Sequence, residues 1–437
     1  MTVDRQGHLL ESELTNIVPK ERYISREFFD LEMEKLWPRV WQMACREEEV
    51  PAVGDYLEYL VGDQSILIVR SAPTIIKAYY NCCRHRGTRL ADGTGNFATS
   101  EIRCRYHAWR WALDGRNIEV VDQPDFPPMR DDDVALAEVQ VGRWGGFVFI
   151  NMDPDAEPLL DFLDPLPQRL APYELERLRF RSYRTTIIPA NWKMVLDAFN
   201  ESYHVQGTHP QLLMWTDDTE ITYDQFGKHA HMQRVRRRND VHPSPRLGLQ
   251  DGDWDERELL ASMVGELRGL FLKEELDAVE ALRHEPLPPG RTALDIYNEI
   301  RVRMLERRGV DISRFTEQQL LNADDCYFFP NVVGPIYPGS TTLFRVRPNG
   351  LDPLSTIKDL WTLELPPPGD APAMPPRKFY PDWSAKDWGL VTNQDYGNME
   401  HVVAGMRSRG CKGLQLNPRQ ESNVLHMHRV IDRYLTS

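Results

Sequence analysis

Two short stretches of this chain each offer one thiol and one imidazole: Cys83 and His85 in NCCRHRGTRL, and Cys104 and His107 in CRYHAW. The first pair is Cys-x-His, the second Cys-x-x-His, and the eighteen residues 86–103 separate them. Two sulfurs and two ring nitrogens supplied by two loops are what a Rieske [2Fe–2S] centre requires: one iron takes the sulfurs, the other the nitrogens. Such a centre passes electrons singly. Structural zinc is the competing occupant, but zinc fingers pair like ligands along the chain, Cys with Cys and His with His. Here both pairs are mixed, and the flanking runs Ser65–Val69 and Thr74–Tyr80 read as strands rather than as the short helix of a finger. Cys82 adjoins the first pair, yet only Cys83 has the Cys-x-His register, so Cys82 is expected to pack beside the site.

A second group lies about a hundred residues later, in NWKMVLDAFNESYHVQGTHP. His204 and His209 with one carboxylate would form the facial triad of a non-haem Fe(II) site, which leaves coordination positions open for O2 and substrate. A spacing of five does not stack two side chains on a regular helix, whereas three or four would. Gly207 and Pro210 flank the second histidine, so the helix expected over 191–206 should loosen there and bring both rings to one point. On the residues alone the carboxylate is open: Asp197, Glu201, or Asp395 or Glu400 of NQDYGNMEHVVAG.

With both motifs in this order, the chain from about residue 21 to its C-terminus resembles the catalytic α subunit of Rieske non-haem iron oxygenases, the aromatic-ring-hydroxylating family. NCCRHRGTRL and CRYHAW are similar to its cluster loops, NWK…ESYHVQGTH to its iron helix and DYGNME to the segment of its third ligand. The resemblance implies that Cys83, His85, Cys104 and His107 bind the cluster and that His204, His209 and Asp395 bind mononuclear iron. It implies that Glu201 is the acid linking His204 to His107 of the partner subunit in a head-to-tail homotrimer. It implies an α+β fold, a Rieske-type β domain joined to a helix-grip catalytic domain of antiparallel sheet and helices. Three departures stand out: the gap of eighteen is slightly long, the bridging acid is Glu rather than the commoner Asp, and Ala198 stands where many members carry Asn. A carboxylate between two imidazoles would orient both rings and raise their basicity.

The elements expected to position these groups divide into three parts. Residues 1–38 read as an extended lead and a helix capped by Ser25, packing on the catalytic domain. Residues 39–155 are rich in strands and Gly-Asp turns and form the Rieske domain. Residues 156–437 form the iron domain. There we expect a strand over Lys228–Arg237, helices over 254–283 and 292–308, and strands at Thr341–Arg347 and Ile357–Leu365. A proline-rich loop over 366–378 and helices near 385–408 and 421–434 complete it.

The 437 residues carry a net charge of −14, which argues against nucleic-acid partners. The N-terminal residues lack a signal-like apolar stretch, and no apolar run reaches membrane length. Six Cys do not make a disulfide framework, so a reducing cytoplasm is expected. Residues 84–116 hold seven Arg against three acids, an excess of +4 that could steer an acidic electron carrier to the cluster. The activity expected is insertion of O2-derived oxygen into an apolar aromatic or polycyclic substrate. Electrons would come from NAD(P)H through a separate reductase and a possible ferredoxin, because no Gly-x-Gly-x-x-Gly fingerprint is present; a small β subunit could join the trimer. O- or N-demethylation, with the methyl group leaving as formaldehyde, is the alternative within the same chemistry. A Rieske electron-transfer or zinc-stabilised binding protein is the alternative outside it. Phe199, Leu212, Met232 and Phe329 are candidate pocket walls. In RVRRR, Arg234, Arg236 and Arg238 would share one face of the expected strand, where one could meet a substrate carboxylate.

Overall fold

The computed structural model describes residues 16–436, so the first fifteen residues of the expected N-terminal segment lie outside it. The described residues fall into two compact units. One takes Glu32–Phe162 with Asn349–Leu351; the other takes the residues up to Leu31, then Leu163–Pro348 and Asp352 onward. Ser25 caps the helix Arg26–Lys35 as expected, its hydroxyl accepting from the Phe28 amide at 3.1 Å.

The first unit is a β structure. Gln64–Ala72 and Ile75–Tyr80 pair antiparallel within a seven-stranded sheet. Its order is Gln42–Arg46, Phe147–Asn151, Glu138–Trp144, Ile75–Tyr80, Gln64–Ala72, Asp55–Val61 and Thr94–Asn96. A three-stranded sheet of Glu101–Arg103, Arg110–Ala112 and Asn117–Glu119 carries the second Cys-His loop. Leu67, Val69, Tyr79, Ile102 and Trp111 form the shared core, in which Cys83 and Cys104 are buried. Trp111 satisfies its indole N–H on the Val134 carbonyl at 2.7 Å.

The second unit is built on an eight-stranded sheet. From one edge to the other it runs Ile221–Phe226, His229–Arg234, Asp324–Phe328, Val332–Tyr337, Ser340–Pro348, Thr356–Glu364, Arg179–Ile188 and Lys378–Tyr380. The helices Glu256–Glu266, Lys273–Arg283 and Ala293–Arg307 pack together around Leu260, Val264, Val279 and Leu294. The helices Leu390–Met406 and Ser422–Thr436 end the chain.

Four expectations need correction. The helix expected over 191–206 runs only from Trp192 to Asp197. Beyond it Glu201 accepts from the backbone N–H of Tyr203 and of His204 (3.1 Å for the latter), and a side chain that takes these donors competes with helix continuation. The helix expected over 254–283 breaks between Glu266 and Lys273, where Arg181 draws the carbonyls of Phe271 (2.8 Å) and Gly269 (2.5 Å) out of line. The helix expected near 385–408 begins only at Leu390, after a short turn at Trp383–Ala385. The strand expected to reach Arg237 stops at Arg234, because its partners end there: Ile221 opposes Arg234, and the strand on the other side begins at Asp324. Arg234, Arg236 and Arg238 therefore do not share a strand face.

Candidate active site

In the first unit the two Cys-His loops fold alike despite their different spacing. The Cys83 amide donates to the Thr88 carbonyl at 2.8 Å, and the Gly87 amide to the Cys83 carbonyl at 2.9 Å. In the second loop the Cys104 amide donates to Trp109 at 2.9 Å, and Ala108 to Cys104 at 3.1 Å. Gly87 and Ala108 take the equivalent left-handed position, with φ of 71° and 61°. Two matched turns thus aim two thiols inward; both Cys are at most 5% exposed. The Nδ1 atoms of His85 and His107 face one another at 3.1 Å. Trp109 stacks on His85 with ring centroids 5.0 Å apart and planes within 9°, fixing the ring. Burial raises the Cys83 thiol, and the neighbouring Cys104 adds to the shift. Two thiols and two imidazole nitrogens converge here, the donor set that a cluster of one Cys-bound and one His-bound iron needs.

The outer side of these loops is exposed, with Tyr106 57% accessible. Three of the seven arginines pair with carboxylates, whereas Arg84, Arg86, Arg103 and Arg116 have no ion-pair partner among the described residues. Arg89 pairs with Glu58 at 3.2 Å, Arg105 with Asp92 at 2.7 Å, and Arg110 with Glu101 and Glu119 at 2.8 and 2.6 Å.

In the second unit Asn191 caps the helix Trp192–Asp197, accepting from the Lys193 amide at 3.1 Å. The chain then turns through Ala198–His204 into the short helix Val205–Thr208, with His204 and His209 at its two ends. Gly207 lies inside that turn of helix, and His209 follows it at φ −126°, which swings its ring back toward His204. The Nε2 atoms of both histidines reach one oxygen of Asp395, at 3.6 Å from His204 and 2.7 Å from His209. All three donor atoms lie within 4.8 Å of one another and fit a single metal ion.

The other acids left open by the sequence go elsewhere. Asp197 accepts from the Tyr23 hydroxyl at 2.7 Å, and burial pushes its carboxyl up to about 8. Glu400 accepts from the Trp383 indole at 3.2 Å. Glu201 holds the Nδ1 of His204 at 2.5 Å. Burial alone would depress the His204 imidazole, but the bond and charge of Glu201 raise it.

Two supporting residues were not legible in the sequence. Gln394 accepts from the Nδ1 of His209 at 2.8 Å, doing for this ring what Glu201 does for the other; each leaves Nε2 turned toward Asp395. Its adjacency to Asp395 was the one available signal. Lys358 is buried with its ammonium 3.6 Å from the Phe199 ring centroid and no hydrogen-bond partner among the described residues. Burial holds its ammonium well below the ordinary lysine range.

A cavity of about 370 Å³ opens beside the His204–His209–Asp395 group. The period-two alternation of strands builds its floor. Met232, Asp325 and Pro335 form one cross-strand row, and Phe344, Leu360 and Arg184 form another. Phe199, Leu212 and Met232 line it as expected. Phe329 does not: the chain leaves the sheet after Phe328, and Phe329 stacks on Tyr434 at 5.8 Å. Four aromatic rings (Phe199, Trp215, Phe344 and Trp388) share the cavity with two acids, Asp325 and Glu266, that have no ion-pair partner among the described residues. Burial, and then the charge of Asp324, push the Asp325 carboxyl up to about 7.

Two family models match. The ring hydroxylating alpha subunit (catalytic domain) covers residues 175–437, and the Rieske [2Fe–2S] domain covers 40–130. The chain is 32% identical over 209 residues to the glycine betaine monooxygenase oxygenase subunit of Pseudomonas aeruginosa (strain UCBPP-PA14), which is 46% of this chain and 48% of that protein. It is 33% identical over 195 residues to the carnitine monooxygenase oxygenase subunit of Escherichia coli (strain K12), 44% of this chain and 52% of that one. The chain thus spans about half the length of the curated relatives it matches. Among solved structures it is similar to the quaternary ammonium Rieske monooxygenase CntA in complex with L-carnitine. The TM-score is 0.66 over 98% of this chain and 99% of that one, at 18% identity, a likeness of fold.

Proposed function

This chain belongs to the ring hydroxylating alpha subunit family, and from that membership we propose that it is the oxygenase component of a Rieske monooxygenase that removes a methyl group from a quaternary ammonium compound. The cofactors implied by its two domains are a [2Fe–2S] Rieske cluster and a mononuclear iron. Cys83, His85, Cys104 and His107 would hold the first; His204, His209 and Asp395 would hold the second. When bound, the iron supplies activation of O2, with electrons delivered through the cluster.

The observation that carries the substrate class is the lining of the catalytic cavity. Aromatic faces attract a quaternary ammonium, which cannot donate hydrogen bonds and meets the ring quadrupole directly. Asp325 and Glu266 supply the opposite charge. An arene filling the same space would strip water from both carboxyls and offer them nothing in return. The similarity to glycine betaine and carnitine monooxygenase subunits supports the same reading.

The chain's own groups set the geometry. Glu201 and Gln394 fix the two imidazoles through their Nδ1 atoms, so that neither ring needs to reorganise when metal and substrate arrive. Oxidation at an N-methyl carbon converts it to a hydroxymethyl group, which leaves as formaldehyde while the nitrogen keeps the bonding pair. Glu201 also serves as the bridge toward His107 of the partner subunit in a trimer. Among the described residues its Oε1 carries one bond, to His204, and retains an acceptor site. Electrons come from NAD(P)H through a separate reductase, with or without a ferredoxin.

Aromatic hydroxylation is the second reading, favoured by one observation: Phe199 and Phe344 stack at 4.2 Å and make a flat apolar wall. Turnover of the iron-loaded protein with a surrogate reductase decides between them. Stoichiometric formaldehyde from trimethylammonium compounds supports the proposal; a phenol or cis-diol from arenes, with no formaldehyde, refutes it.

A further inference from the structure

A second chamber of about 200 Å³ lies along the same sheet face as the catalytic cavity. The two share Trp215, Thr216, Met232, Leu267 and Asp325 as walls. Met232 and Arg234 lie two residues apart on one strand and therefore on one face. Met232 borders both spaces, whereas Arg234 and Arg236 border only the second. Met263, Phe271 and Leu294 make the opposite wall apolar.

The guanidinium groups of this chamber are not all met by acids in contact, although Asp325 stands on its wall. Arg301 is matched by Glu275 at 3.1 Å. Arg234 meets Glu220 at 3.2 Å through Nε, but its buried Nη2 has no hydrogen-bond partner among the described residues. Arg236 donates to the side-chain oxygen of Asn322 at 3.0 Å and to the Asp240 carbonyl at 3.3 Å. No carboxylate lies within ion-pair distance of Arg236 among the described residues. Burial, followed by the like charge of Arg234, lowers its guanidinium to about 9. A buried cation such as Arg236 without a carboxylate in contact is costly, and apolar walls strengthen its field. An unused guanidinium edge and an orphaned Nη2, side by side in an apolar-walled space, make a seat for one planar anion.

We infer that Arg234 and Arg236 bind the carboxylate of the substrate in this second chamber while its oxidisable end lies in the catalytic cavity. The inference rests on the proposed reading only in taking the larger cavity as the place where the substrate reacts. Asp325, on the shared wall, then stands between the two ends of a zwitterion.

Calorimetric titration of the iron-loaded full chain under argon tests it with two matched pairs: 4-(trimethylammonio)butyrate against its amide, and 4-phenylbutyrate against 4-phenylbutyramide. We expect the acid to bind about 10- to 100-fold more tightly than its amide. Arg236→Gln should bring the ratio toward one, and Arg236→Lys should keep part of it. An acid preference in the phenyl pair alone leaves the anchor standing and removes the ammonium reading. Equal binding of acid and amide, a ratio unchanged in both Arg236→Gln and Arg234→Gln, or no binding in either pair overturns the inference. So does tighter amide binding in the presence of acetate without an acid advantage, because the anion is then a separate molecule. Should Arg236→Gln not fold, the wild-type ratios and Arg236→Lys still decide.

Discussion

Asp325→Asn is the most informative single change at the catalytic cavity. The Asp325 carboxyl moves from its ordinary 3.8 to about 7, through burial first and then through Asp324. Asp324 stays ionised because His231 (2.7 Å) and Arg169 (3.2 Å), with the Tyr173 hydroxyl, hold it as the anion. A cation that needs the ionised form of Asp325 must displace a proton below pH 7. At about pH 5.5 roughly one molecule in thirty carries the charge, so affinity for tetramethylammonium, which has no acid of its own, should fall about 30-fold from pH 8.5 to 5.5. In Asp325→Asn this dependence should vanish, with binding at pH 8.5 weakened by about the same 30-fold, because the amide, like the protonated acid, carries no charge. Glu266, also raised by burial, is the other unpaired acid of the cavity; Glu266→Gln should keep the midpoint near 7. A stability measurement checks the same cause independently. A carboxyl whose pKa is raised on folding binds more protons in the native than in the unfolded state between about pH 4 and 7, so it costs stability as pH rises through that window. The shift sets a ceiling of about 4 kcal/mol, lowered because the group opens onto two cavities. Asp325→Asn should therefore match wild type below about pH 4 and exceed it above pH 7. An unchanged midpoint near 7 for tetramethylammonium binding in Asp325→Asn would refute the reasoning.

Four further outcomes are expected. Asp395→Ala should lose mononuclear iron, read by metal analysis, while keeping the visible spectrum of the Rieske cluster. Glu201→Gln should retain iron and sulfide yet lose product formation coupled to NADH use; wild-type rates would discard its bridging role. Gln394→Leu, which removes the acceptor of His209 Nδ1, should weaken iron binding by about 10- to 100-fold in chelator competition. Trp111→Ala, deleting a fully buried ring from the core around Cys83 and Cys104, should destabilise that unit by about 3–5 kcal/mol, seen as loss of cluster absorbance at lower temperature.

The ligand types and their local spacing were legible in the sequence because metal chemistry is strict about donors. Cys-x-His and Cys-x-x-His need only a tight turn to present a thiol and an imidazole, and the two turns found here share one hydrogen-bond pattern. Strand alternation was readable for the same local reason, and Phe199, Leu212 and Met232 reached the cavity as expected. What lay beyond the sequence was everything fixed by partners distant along the chain. Four acids were open beside His204 and His209; packing of the helix Leu390–Met406 brought Asp395 to both rings, while Tyr23 engaged Asp197 and Trp383 engaged Glu400. Helix propensity ran through Ala198–Tyr203 and 267–272, but side-chain acceptors and the reach of Arg181 from a distant strand overrode it. The RVRRR run carried its charge in the sequence, yet its placement depended on where two neighbouring strands begin. Local chemistry is encoded in neighbouring residues, whereas the burial and charge balance of Arg236 or Asp325 exist only once remote segments enclose them.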